Sequence, residues 1–67
     1  MTQHQQNVRE AARSMIKRYG RAALEQTDQR IAELEEFCED EAASLWREIR
    51  AAVQRQMDLE ENGLGDG

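Results

Sequence analysis

The sequence predicts an all-α protein: a small three-helix domain with helices at about 8–19, 22–38 and 41–60. Three observations carry this. The 67 residues contain no proline, the four glycines are confined to position 20 and the segment after residue 62, and apolar residues recur every three or four positions. A long helical hairpin or coiled coil is the alternative with the same helix content. A chain this short buries only about 60% of the surface its unfolded form exposes, so a second copy of the chain is one way to complete the core.

Residues 1–7 are polar and are expected to form a flexible segment ahead of a helical domain at 8–61. Asn7 and Glu10 have the spacing of a capping box, in which each side chain satisfies a backbone donor at a helix start. Val8, Ala11, Ala12, Met15, Ile16 and Tyr19 then gather on one helical face. Gly20 suits the left-handed position after the helix, and Lys17 and Arg18 suit its negative end.

From residue 21 to 61 there is no glycine or proline, and Ala, Leu, Glu, Gln and Arg dominate. Leu24, Thr27, Ile31, Leu34 and Cys38 form a heptad seam flanked by Ala23 and Phe37. The rhythm predicts an apolar residue at 41, where Glu41 stands, and it resumes one residue later with Ala42, Leu45, Trp46, Ile49, Ala52, Val53, Gln56 and Met57. Two structures accommodate the slip. One is a continuous helix of about 40 residues with a local stutter. The other, which avoids leaving Phe37, Trp46 and Ile49 in water, is a turn at residues 38–41 with Asp40 capping the next helix. The glycine-rich residues 62–67 are expected to form a disordered tail.

The run from Ala12 to Gly20 (Ala-Arg-Ser-Met-Ile-Lys-Arg-Tyr-Gly), with Ala23, Glu33-Leu34-Glu35 and the Trp46-x-x-Ile49-x-x-Ala52-Val53 pattern, resembles a family of very short, all-helical bacterial proteins, mostly alphaproteobacterial. The likeness covers about residues 11–55. It implies a small helical domain and brings no activity, substrate or cofactor. Family members usually carry a Gly-Asp turn between the second and third helices, where this chain has Cys38-Glu39-Asp40.

The formal net charge of −5 conceals an asymmetry. Residues 1–30 hold six basic and three acidic side chains, +3, whereas the remainder holds three basic and eleven acidic, −8. The overall acidity argues against a general nucleic-acid or anionic-membrane binder. Apolar runs of at most three residues exclude a membrane-spanning helix, and with no charged-then-apolar leader the expected location is cytoplasmic.

Candidate chemistry is sparse. His4 is the sole histidine and has no neighbouring nucleophile or carboxylate with which to form a catalytic pair. Cys38, the sole cysteine, is expected to pack as a small hydrophobe on the seam. Six carboxylates crowd residues 33–41, with Glu33, Glu36 and Asp40 on one face, but no Glu-x-x-His pair or calcium-loop pattern accompanies them. No catalytic, metal or cofactor-binding residue is expected, and no enzyme.

What remains is recognition. Arg9, Arg13, Lys17 and Arg21 recur every four residues as a basic stripe, expected to pair with Glu25, Asp28, Glu33 or Glu36 within the chain or across a dimer. Tyr19, Phe37 and Trp46 are the large anchors, with core packing as their expected fate and Tyr19 or Trp46 as interface anchors otherwise. The function expected is a non-catalytic protein interaction module or regulator, acting through an acidic surface and an apolar helix face on a protein partner or on itself as a homodimer. Its candidate residues are Arg9, Arg13, Lys17, Arg21, Glu33, Glu36, Tyr19 and Trp46. The alternative is a small nucleic-acid-associated or transcriptional regulator using the stripe along phosphates.

Overall fold

The structure is a computed structural model that describes the backbone of residues 3–65 and the side-chain surroundings of residues 3–59. Helix α1 spans Gln3–Tyr19, a short 3-10 turn covers Gly20–Ala22, α2 spans Ala23–Glu36 and α3 spans Asp40–Gly65. The described chain is all-helical, without strands.

Helix α1 starts inside the segment expected to be flexible. Asn7 is therefore an interior helical residue and not a cap; its Oδ1 accepts a hydrogen bond at 3.2 Å from Nε2 of Gln3, one turn earlier. No helix breaker stands in Gln3–Asn7, and His4 ties the first turn to Glu48 of α3 at 3.0 Å. A tertiary contact 44 residues distant offsets the fraying that the local sequence suggests. At the other end the expectation holds. Lys17 and Arg18 occupy the last turn, and Gly20 adopts φ +58°. A Cβ at Gly20 would meet nothing within 4 Å, so backbone conformation and not space is what favours glycine here.

The chain turns between α2 and α3, which removes the continuous 40-residue helix. The turn closes α2 as a Schellman motif. The Cys38 N–H donates to the Glu35 carbonyl at 3.1 Å and the Glu39 N–H to the Leu34 carbonyl at 2.8 Å, with Cys38 left-handed at φ +59°. Cys38 is thus exposed at the turn and not packed on a seam, and Phe37 beside it is 74% exposed where core packing was expected. Glu39, one residue before the expected cap Asp40, accepts the Ala43 N–H at 2.9 Å. Asp40 and Glu41 sit in the first turn of α3, where their charge complements the helix dipole. Helix α3 runs past the expected stop at Asn62 as far as Gly65, and none of the described contacts explains the continuation.

Contacts set the directions of the helices. His4 meets Glu48, and the Gln56 side-chain amide donates to the Arg9 carbonyl at 3.3 Å, so α1 and α3 run the same way. Glu35 pairs with Arg47 and Asp28 with Arg50, so α2 runs against α3. Both earlier helices lean on α3. Its 26 residues span about 39 Å at 1.5 Å per residue, most of the 44 Å long axis of a molecule only 15 Å thick between Cα atoms.

The core is built from small residues. Val8, Ala12, Ala23, Ile49 and Val53 form its buried cluster, with Met15, Ile16, Leu24, Trp46 and Met57 half-buried against it. Thr27 is fully buried, and its hydroxyl donates back to the carbonyls of Ala23 at 3.1 Å and Leu24 at 2.8 Å. The expected seam therefore survives only in part: Ala23 and Thr27 are buried, while Leu24, Ile31 and Leu34 are half-buried.

Two outcomes check this account. Cys38→Gly relieves a left-handed L-residue at an exposed site and is expected to raise unfolding free energy by about 0.5–1 kcal/mol in urea titration with an unchanged slope; a lower midpoint contradicts the turn. Ala12→Leu forces extra volume between α1 and its supports and is expected to cost about 1–3 kcal/mol.

Candidate interaction site: the groove between α1 and α3

Helices α1 and α3 run side by side and leave an open groove of about 800 Å³ between them. Its apolar lining comes from Val8 and Ile16 on α1 and from Ala51, Ala52 and Leu59 on α3. Leu59 is 63% exposed, the most exposed aliphatic side chain among the large hydrophobics of the described residues. Polar groups frame that lining: Arg9 and Arg13 from one helix, Arg55 and Gln56 from the other, with Glu48 and Gln5 also contributing.

The arrangement follows from helical spacing. Val8, Ala12 and Ile16 face inward at steps of four, which turns Arg9 and Arg13, one residue after Val8 and Ala12, onto the rim. On α3, Ala52 and Gln56 are four apart, and Arg55 and Leu59 lie on the adjoining row. Guanidinium groups present forked donors matched to carboxylates, so an apolar floor bordered by three arginines suits a ligand carrying both acidic and apolar groups. Among the groove's described lining residues there is no serine, threonine, cysteine or histidine. The carboxylates of residues 33–41 do not converge either: among the described residues, no three His, Cys, Asp or Glu side chains gather as a metal site.

No protein-family model, curated protein or solved structure matches this chain.

The structure divides the residues singled out from the sequence. Arg9 and Arg13 line the groove, whereas Lys17 and Arg21 are exposed on the later part of the first helical arm and do not line it. Tyr19 is 39% exposed at the end of α1. Glu33 and Glu36 are exposed in the last turn of α2, near the turn into α3. Trp46 is half-buried against the core, and the Arg30 guanidinium carbon lies 5.8 Å from the centroid of its ring. The expected pairing of the stripe with α2 is not formed by Arg13, Lys17 or Arg21 among the described residues. Asp28 is instead taken by Arg50, and Arg47 takes Glu35. Arginines of α3 lie directly opposite those acids, while the stripe lies on the α1 side of the molecule.

Several participants were missed in the sequence. Arg55 and Leu59 stand outside the apolar series of α3, and that displacement was the available sign that they face solvent. The His4–Glu48 and Arg30–Trp46 contacts have no local signature, because they depend on how helices far apart in sequence align. The Arg47–Glu35 and Arg50–Asp28 ion pairs are about half exposed, which limits each to roughly 0–1 kcal/mol, and the His4–Glu48 contact is equally exposed. No described helix is long and apolar enough to cross a membrane.

The lone tryptophan offers a direct check. Arg30→Gln is expected to change Trp46 fluorescence in the folded protein while lowering stability by no more than about 1 kcal/mol, the range of an exposed cation–π contact. An unchanged emission spectrum would show that Arg30 does not cover the ring.

Proposed function

We propose that this chain is a non-catalytic protein interaction module of the cytoplasm whose docking site is the groove between α1 and α3. The observation that carries this reading is the combination of exposed Leu59 with the guanidinium groups of Arg13 and Arg55 around one apolar lining. Apolar contact supplies affinity, and the charged rim selects an acidic partner and its orientation. The sequence predicts an acidic surface beside an apolar helix face; the groove proposed here has Arg9, Arg13 and Arg55 around its apolar lining, with Glu48 as its acidic member.

A photocrosslinking amino acid at position 59, introduced in the native cell, tests the proposal. A discrete adduct is expected, reduced at least tenfold by Arg13→Glu with Arg55→Glu and absent when the probe stands at exposed Gln29 on α2. Equal labelling from both positions, or none from position 59, overturns it.

A second reading is supported by Arg13, Lys17 and Arg21, three exposed cations of the stripe with no ion pair among the described residues. They could follow a phosphate backbone. In that case binding to DNA or RNA tightens steeply at low salt and is lost on charge reversal of all three. The absence of binding at low ionic strength removes this reading.

A further inference from the structure

At the end of the molecule away from the groove, the α2–α3 turn presents Phe37, 74% exposed, among carboxylates. Glu36 precedes it, Glu39, Asp40 and Glu41 follow after Cys38, and all four carboxylates are exposed. This apolar tip in an acidic collar is the chemical complement of an apolar groove in an arginine rim. Resting on the proposed role of that groove, we propose that its occupant is a second copy of this chain, inserting Phe37 between α1 and α3 and placing its collar against Arg13 and Arg55.

The geometry requires a second molecule. The turn joins the start of α3 at Asp40, whereas Arg55 lies fifteen residues further along the same rigid helix, about 22 Å at 1.5 Å per residue. A chain cannot place its own tip in its own groove. The two surfaces are different patches of one protomer, so the contact is heterologous: each molecule that fills a neighbour's groove leaves its own open. Association therefore runs head to tail and does not stop at a two-fold dimer. The inserted element is the short turn around Phe37, which places the contact at the small, weak end of specific interfaces. Its charged collar makes it salt-sensitive.

Sedimentation equilibrium of the full chain and two variants tests this. The groove variant carries Arg13→Glu and Arg55→Glu; the tip variant carries Glu36→Lys, Phe37→Ser and Glu39→Lys. All five positions are exposed, and circular dichroism verifies that each variant folds. The wild-type mass is expected to climb with concentration beyond that of two chains and to fall as salt is added. Each variant alone is expected to remain a monomer. Their equimolar mixture is expected to form a complex of two chains and nothing larger, since only the groove variant's tip and the tip variant's groove are intact. A wild type that stays monomeric, a tip variant that still dimerises, or a mixture that stays monomeric overturns the proposal. If the wild type is monomeric but the position-59 probe still captures a discrete foreign protein, the groove is a docking site and self-association is rejected. If both measurements are negative, the interaction role falls as well.

Discussion

Everything in this structure depends on α3 serving as the common support for two helices that run in opposite directions. Ile49 and Val53 project from it into a cluster completed by Val8 and Ala12 from α1 and Ala23 from α2. Alanine on the approaching helices lets their backbones come close to α3, so the buried volume is small and the contact tight. A thin core of this kind leaves little tolerance for added volume. It also explains why the larger side chains, Leu24, Trp46 and Met57 among them, are only half-buried at its margins.

The same support creates the groove. Where α1 and α3 run side by side, the inward rows of each helix meet at Val8, Ile49 and Val53, and the next rows outward diverge. Those outer rows carry Arg9 and Arg13 on one side and Arg55 and Leu59 on the other. Alignment of two amphipathic helices thus gathers guanidinium groups that are more than forty residues apart in sequence. The acidic side chains are gathered by a different event, the reversal of the chain after Glu36, which puts the carboxylates of residues 33–41 near one extremity.

Much of the helical content was legible because it is written in local spacing. The face of α1 and its stop at Gly20 follow from period and from one residue's conformational freedom, and both are found. The one-residue slip after Cys38 marked a turn. The sequence did not show that Cys38 itself takes the left-handed position, since a residue with a Cβ is uncommon there, nor that Phe37 is consequently carried outward. Residues 3–7 looked like a tail because their helix is held by Glu48, a partner that no local pattern contains. The site was half legible for the same reason: Arg9 and Arg13 stood out as a periodic stripe, while Arg55 and Leu59 acquire meaning only after the helices are aligned.

Thr27 has a consequence for how the hairpin of α2 and α3 is aligned. It is the buried polar side chain of the described residues, and its hydroxyl bonds entirely within its own helix. Among the described residues, no buried side-chain hydrogen bond runs from α2 to α3. The directional contacts described between them, Arg47 with Glu35 and Arg50 with Asp28, stand outside in water. The dry interior supplies adhesion, whereas fine register is delegated to a surface that dissolved ions can reach. In this hairpin the solvent is part of the alignment mechanism.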